Sequence, residues 1–104
     1  MSFEKFLNES VDISTVEKKT KEYLSKLNFA LIGDLIEVDK DKGQYKAIYM
    51  LTKPNEKYAD IQGLYNEVDY YYVGDLVFSG NKVSSFKENY KKFDNEQQAL
   101  KSIK

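Results

Sequence analysis

Histidine, cysteine, tryptophan and arginine are all absent from this sequence, so its 16 basic residues are all lysines. Histidine and cysteine provide most proton shuttles, thiol nucleophiles and soft-metal ligands in proteins. Arginine provides the bidentate contacts that clamp phosphate and read guanine. We therefore expect no metal site, no cofactor and no enzymatic activity.

Two further absences concern the compartment. Without cysteine, the chain has no disulfide framework of the kind that small secreted domains rely on. No apolar run approaches the roughly 20 residues of a membrane-spanning helix. Glu4 and Lys5 stand where a signal peptide would have an apolar stretch. We expect a cytoplasmic protein with no membrane contact.

The composition is that of one globular domain rich in aromatic residues. The 104 residues, of which 41% are hydrophobic and 14% aromatic, suffice for one hydrophobic core but not for two. We therefore interpret residues 1–104 as a single domain. The formal net charge of −1 is typical neither of a polyanion mimic nor of a basic nucleic-acid-binding tail.

The sequence contains a possible internal repeat. A shift of 41 positions aligns residues 29–36, which end in Gly-Asp-Leu-Ile, with residues 70–77, which end in Gly-Asp-Leu-Val. The same shift aligns Tyr49 with Tyr90. This similarity indicates either two duplicated helix-strand-strand units, over residues 12–52 and 53–93, or two hairpins of equal length that share a hydrophobic pattern.

Capping residues and apolar spacing predict four helices. In the strongest pattern, a capping box of Ser14 and Glu17 precedes apolar residues at helical spacing and predicts a helix over residues 15–28. The other predicted helices cover residues 2–9, residues 55–66 behind Pro54, and the residues that follow a capping box of Asp94 and Gln97.

Alternating apolar residues predict four strands, over residues 29–39, 44–52, 68–79 and 82–93. The connecting residues 39–43 and the pair Gly80-Asn81 are typical of hairpin turns, and we expect positive φ angles in the pair. Together these elements predict an α+β domain: a four-stranded, mainly antiparallel sheet built from two helix-strand-strand units, with N- and C-terminal helices packed on it.

The predicted strands are apolar on both faces. In residues 29–38, apolar side chains occupy odd and even positions alike around Asp34. Such a sheet needs helices on both sides, a bulge at Gly33 and Gly74 that twists its strands, or a second chain that covers it. All three alternatives remain open, and function enters through the third.

A covering second chain predicts a protein-binding surface centred on Tyr71. Tyr70, Tyr71 and Tyr72 are consecutive, so neighbouring rings point to opposite faces of a strand. We expect Tyr70 and Tyr72 in the core, and Tyr71 as an anchor for a partner. The candidate binding residues are Tyr71, Val73, Val77, Ile32, Ile36, Tyr58 and Tyr65.

The favoured function is therefore a small non-enzymatic regulator or inhibitor that binds another protein, with self-association as a further option. The abundance of Lys, Asn, Ile and Tyr and the absence of Arg are typical of a low-GC genome. A chain of this size and composition suits a phage or a mobile element, and we expect an inhibitor of the anti-defence type.

An alternative function is the binding of single-stranded nucleic acid by the last predicted strand. Lysines that alternate with stackable rings are typical of single-strand grooves. The candidate residues are Lys82, Lys87, Lys91, Lys92, Phe86 and Tyr90. Glu88 interrupts this stretch, and lysines on an edge strand also serve to prevent edge-to-edge pairing.

Two further sites are weakly indicated. Asp34 and Asp75 occupy equivalent positions of the repeat, and a pair of close carboxylates would suit a carboxylate-based hydrolase. Residues 39–43 begin like a calcium loop, but Gln44 and Met50 stand where that loop needs glycine and glutamate. We interpret residues 39–43 as a polar turn. No P-loop, dinucleotide fingerprint or zinc-ligand spacing occurs in the sequence.

Overall fold

The computed structural model describes residues 13–59 and 66–103. In this part of the chain, two α-helices pack on a four-stranded antiparallel sheet whose strands follow the order β1-β2-β3-β4, so the predicted α+β class is confirmed. The elements are α1 (Ile13–Lys26), β1 (Phe29–Asp39), β2 (Gln44–Leu51), β3 (Tyr72–Ser79), β4 (Lys82–Lys87) and α2 (Glu96–Ile103). The helix predicted over residues 2–9 lies outside the described residues.

Helix α1 begins and ends two residues earlier than the sequence predicts. Asn28 takes a left-handed conformation, with a φ of 65°, that turns the chain from the helix into β1. The carbonyl of Asn28 accepts a hydrogen bond of 2.9 Å from the Thr52 amide, which ties this corner to the end of β2. Val16, Thr20 and Leu24 are buried against the sheet, as the apolar spacing of the helix requires.

The first hairpin matches its prediction. Strand β1 has the predicted bounds, and β2 ends one residue before the predicted position. In the connecting turn, the Asp39 carboxylate accepts a hydrogen bond of 3.2 Å from the Lys42 amide, and Gly43 has a φ of 68°. Residues 39–43 therefore form a polar turn whose Asp and Gly residues satisfy its backbone geometry.

The two Gly-Asp pairs of the repeat differ in structure. At Gly33 the register of β1 against β2 shifts between Ile32 and Ile36, and Gly33 has a φ of 69°, so the predicted bulge is present. At Gly74 the prediction of a bulge is wrong, because Gly74 pairs regularly with Ala47. Gly74 instead leaves room for the Phe86 ring, because a Cβ atom at position 74 would lie 2.4 Å from that ring.

The described residues between the two hairpins do not form the predicted helix. Instead of a helix over residues 55–66, the described residues form 3-10 turns at Glu56–Tyr58 and Glu67–Asp69. The side chains of Asn55 and Asn66 cap these turns by accepting hydrogen bonds from the amides two residues later. Helix α1 therefore has no helical counterpart among residues 53–59 and 66–71, and a duplication of the whole unit stays a prediction.

The second hairpin is shorter than predicted. Strand β3 begins at Tyr72 and β4 ends at Lys87, and beyond them only Tyr71 and Phe93 pair, as an isolated bridge. In the two-residue turn, Gly80 has a φ of 64°, whereas Asn81 does not share the predicted positive φ. The chain from 88 to 92 is therefore irregular and is held by side chains rather than by a strand ladder.

Helix α2 is capped one residue later than predicted. The Asn95 side chain accepts a hydrogen bond of 2.9 Å from the Gln98 amide, and Gln98 accepts one of 3.3 Å from the Asp94 amide. Asn95 and Gln98 have the same spacing as the predicted pair Asp94 and Gln97, so both fit a capping box. In this helix Ala99 is fully buried against the sheet.

The two helices lie on opposite faces of the sheet. The α1 face carries two packed clusters that include Tyr45, Ala47, Tyr49, Leu76 and Phe78. The α2 face carries Ile48 and Val73 under Ala99. Of the three coverings that the sequence leaves open, internal cover by helices on both sides is present, together with the bulge at Gly33.

We expect Gly74→Ala to destabilise the protein by about 1–3 kcal/mol, the usual cost of overpacking a core, because the new methyl group would overlap the Phe86 ring. Urea unfolding measures this loss. In a Phe86→Ala background the same change should cost much less, since the obstructing ring is gone. Equal losses in the two backgrounds would contradict the steric explanation.

Candidate functional site

The α2 face has an apolar half that α2 covers only in part. Ile48 and Val73 are buried beneath Ala99. Around this centre lie hydrophobic side chains that are only partly buried: Ile32, Ile36, Tyr71, Phe93, Leu100 and Ile103. We call these six residues the α2 rim. They present a partly open apolar border on both the sheet and the helix.

The other half of the α2 face is charged. Ile36, Lys46, Asp75 and Lys87 are neighbours across the four strands and form one row. The Lys46 ammonium lies 2.6 Å from the Asp75 carboxylate, and these side chains remain 33% and 51% exposed. In the next row, Val77 lies between Gln44 and Ser85 and is partly buried. The ion pair is therefore a solvated surface contact of small energetic weight.

The predicted protein-binding residues separate into two groups. Tyr71, Val73, Val77, Ile32 and Ile36 lie on the α2 face; Val73 is buried, and the other four are partly buried. That they bind a protein stays a prediction. Tyr58 lies on the α1 face and is 1% exposed, so its predicted role as a surface contact is wrong. Tyr65 lies outside the described residues.

Asp34 and Asp75 lie on different strands with β2 between them. Adjacent strands are about 4.8 Å apart, so β1 and β3 are roughly 10 Å apart. Asp75 contacts Lys46, and Asp34 is exposed at the bulge of β1. The structure therefore does not bring the two carboxylates together as the hydrolase hypothesis requires.

The α1 face holds an aromatic cluster. Tyr49, Tyr58 and Tyr72 are fully buried there beside Phe29 and the partly buried Phe86. The rings of Tyr58 and Tyr72 meet edge to face, with centroids 4.7 Å apart, and the rings of Phe29 and Tyr49 lie at the same distance. Tyr72 is thus in the core as predicted, and Tyr70 packs partly buried against the same cluster.

Hydrogen bonds join the buried hydroxyl groups of this cluster. The hydroxyls of Tyr49 and Tyr58 are 2.6 Å apart, and Tyr58 donates to the Glu88 carboxylate at 2.7 Å. The Asn89 amide donates to the Tyr49 hydroxyl at 3.2 Å. The network connects β2, the first 3-10 turn and the chain after β4, and its buried polar groups are satisfied.

This network gives no signal in the sequence. Tyr58 and Glu88 are 30 residues apart and belong to segments without regular periodicity. Their contact depends on how the two irregular segments cross the end of the sheet. Among the features described above, only the abundance of tyrosine indicates buried hydroxyl groups that need partners.

The buried tyrosines resist ionisation. Burial raises the pKa of Tyr49 to about 12. Burial also raises the pKa of Tyr58, with further contributions from its hydrogen bonds to Tyr49 and Glu88. The pKa of Tyr72 is raised by burial and by the nearby charge of Glu67. All three therefore remain neutral wherever the fold is intact at ordinary pH.

Residues 88–92, which we call the Tyr90 corner, project an exposed ring. Tyr90 is 48% exposed, and one side of its ring packs on Tyr58 with a centroid distance of 4.7 Å. The Lys92 ammonium donates to the Tyr58 carbonyl at 2.6 Å, and the Lys91 amide donates to the Asn89 side chain at 3.0 Å. The corner is therefore tied to the core, although it is irregular.

The predicted nucleic-acid-binding residues do not form one groove. Phe86 is partly buried and packs against Tyr23, Phe29 and Tyr49 on the α1 face. Strand alternation places Lys82 and Lys87 on the opposite face. Lys91, Lys92 and Tyr90 lie together at the Tyr90 corner.

Comparisons with known proteins assign no site to the chain. No family model matches it, and no curated protein and no solved structure is significantly similar to it. Within residues 13–59 and 66–103, His, Cys, Asp and Glu side chains form no group of three that could hold a metal ion. Neither helix of this part is long and apolar enough to cross a membrane.

We expect the contribution of the buried tyrosines to stability to be constant below pH about 10, the pKa of tyrosine in an unfolded chain, and to fall as the pH rises toward the raised pKa values of the folded state. The unfolded chain then releases protons that the folded chain retains, at about 1.4 kcal/mol per pH unit for each buried tyrosine.

Urea unfolding at several alkaline pH values measures this slope, and tyrosinate absorbance should rise together with unfolding. Tyr58→Phe should reduce the slope, whereas Tyr90→Phe, at an exposed ring, should leave it unchanged. Ionisation of all the tyrosines in a chain that remains folded would contradict the assignment of the buried cluster.

Proposed function

We propose that this protein is a small non-enzymatic regulator or inhibitor that binds another protein through its α2 face. The supporting observation is the α2 rim, in which aliphatic and aromatic side chains surround a short helix and stay partly open. Contiguous apolar surface with a polar border is typical of protein-binding sites.

The dimensions of α2 support this proposal. Its eight residues extend about 12 Å at the helical rise. The strand from Tyr71 to Val77 extends about 20 Å, and the sheet is four strands wide. Whatever the direction of α2, it leaves part of the face uncovered.

The chemistry of the face also suits a protein partner. Tyr71 offers a rigid ring with a polar tip, which is the residue type favoured in interface cores. The row of Lys46, Asp75 and Lys87 beside it supplies charges of both signs. Such a border orients a partner and excludes partners with the wrong charge pattern.

A cytoplasmic location and an origin in a phage or a mobile element belong to the same proposal. They are supported by the composition, which is rich in Lys, Asn and Ile and lacks Arg and Cys. In that setting the partner is a host defence protein. Self-association through the same face is the competing outcome in the experiment below.

We expect the tagged protein to capture one partner from a nuclease-treated cell extract. Val77→Lys should abolish the capture because it places a charge on the α2 face, and Tyr71→Ala should abolish it because it removes the aromatic ring from that face. Leu27→Lys and Tyr90→Ala are matched controls, since Leu27 in the turn after α1 is 38% exposed and Tyr90 in the Tyr90 corner is 48% exposed. Circular dichroism checks that each variant is folded.

Two results would contradict the proposal. One is a partner retained by Val77→Lys and Tyr71→Ala but lost with the controls, which would move the interface elsewhere. The other is a protein that captures only its own copies, with size-exclusion chromatography showing a dimer that Val77→Lys dissociates.

The Tyr90 corner favours a second candidate function, the binding of single-stranded nucleic acid. Tyr90 exposes an aromatic ring on a corner fixed to the core. Lys91 is exposed in the same corner, with its ammonium 5.3 Å from the centre of the Phe93 ring, and no described carboxylate forms an ion pair with it. Rings and unpaired lysines are the contacts that bind single strands.

If this second function holds, a labelled single-stranded oligonucleotide should bind with an affinity that falls steeply as salt rises. Tyr90→Ala should weaken binding by roughly 1–3 kcal/mol, the usual value of one stacked base. Lys91→Glu should weaken it further and reduce the salt dependence. Fluorescence anisotropy measures both effects, and salt-independent binding, or binding indifferent to Tyr90→Ala, would remove this candidate.

A further inference from the structure

Helix α2 shows which kind of element fits the apolar half of the α2 face. Its contact centre is Ala99, a small residue that is fully buried against Ile48 and Val73. Leu100 and Ile103 lie at its border and remain partly buried. The face therefore accepts an amphipathic helix with a small residue at its centre and aliphatic residues one and four positions later.

Few interactions keep α2 folded and docked on the sheet. It has eight residues, whereas isolated helices shorter than about 12–15 residues are marginal in water. Its first turn depends on the Asn95 cap. The helix is thus maintained by one cap and by contacts of a few side chains.

The chain before α2 is fixed independently of it. The amide and carbonyl of Phe93 form hydrogen bonds of 3.0 and 2.9 Å with Tyr71. Lys92 is tied to Tyr58 in the aromatic cluster. These anchors end at Phe93, so residues 94 and 95 join α2 to a part of the chain that is held without it.

We propose that the α2 face is a helix-binding groove in which α2 is an internal occupant, and that the partner inserts an amphipathic helix of its own in place of α2. This inference rests on the proposed function and specifies the partner element: a helix with the small-residue and aliphatic pattern of Ala99, Leu100 and Ile103. The charged row beside the groove then meets polar residues at one end of that helix.

The inference predicts the sign of a measurable effect. A partner helix competes with α2 for the same groove. The apparent affinity of the partner helix is therefore proportional to the fraction of molecules in which α2 is not docked. A change that loosens α2 without altering the groove should therefore tighten binding. If α2 instead forms part of the binding surface, the same change should weaken binding.

The experiment uses the full chain and a fluorescent synthetic peptide with the sequence of residues 94–103 as the probe. Asn95→Ala removes the cap of α2 without altering the sheet, and we expect it to bind the peptide roughly fivefold more tightly than the unchanged protein does, a typical effect of losing a cap. Asn81→Ala, in the turn between β3 and β4, is the matched control and should have no effect.

Ala99→Lys, which places a charge at a fully buried position of α2, should tighten peptide binding by about tenfold or more. If that variant fails to fold, Asn95→Ala still decides the result. Equal affinities of Asn95→Ala and the unchanged protein, weaker binding by Asn95→Ala, or no peptide binding by either would overturn the inference. A dimer that exchanges α2 between copies would also overturn it, since the occupant would then be a second copy.

The two proposals fail in different ways. If Val77→Lys abolishes partner capture but Asn95→Ala does not tighten peptide binding, the partner binds the face with α2 in place, and only the helix-exchange inference falls. If partner capture is indifferent to Val77→Lys and Tyr71→Ala, the proposed function falls whatever the peptide does.

Discussion

The structure depends on one constraint: a four-stranded sheet that is apolar on both faces must be covered on both. Water would otherwise contact Ile48 and Val73 on one side and Tyr49 and Leu76 on the other. Within the part of the chain that the structure describes, one α-helix lies on each face. The positions of the aromatic cluster, the Tyr90 corner and the α2 rim all follow from that arrangement.

The helices that cover the two faces differ in length and in the contacts that they make. Over the α1 face lies a helix of 14 residues, together with a cluster of rings whose hydroxyls are joined by hydrogen bonds. Over the α2 face lies a helix of eight residues that contacts the sheet around one alanine. The α1 face therefore holds the more extensively packed part of the core, and our proposal is that a competing helix of similar pattern replaces the cover of the α2 face.

Local sequence determined those elements whose pattern is complete within a few residues. The bounds of β1 were predictable because a mostly apolar run, broken by Gly33, Asp34 and Glu37, extends from the end of α1 to the Asp39 turn. The same reasoning was wrong for residues 55–59, where an asparagine cap favours a 3-10 turn, and a second asparagine-capped 3-10 turn follows at Glu67–Asp69. Gly33 and Gly74 share a Gly-Asp-Leu context, yet only Gly33 forms a bulge, because Gly74 is held in regular pairing with Phe86 over it.

The sequence by itself determined the α+β class, the hairpin turns, the two-sided hydrophobicity of the sheet and the common face of Tyr71, Val73 and Val77, because alternation along a strand decides which side chains lie on the same side. Only the tertiary structure decided that Tyr58 and Phe86 belong to the core, that Glu88 contacts Tyr58, and that Ala99 covers Val73. These contacts join residues far apart in the chain. No periodicity encodes them, since they depend on where irregular segments and short helices come to rest against the finished sheet.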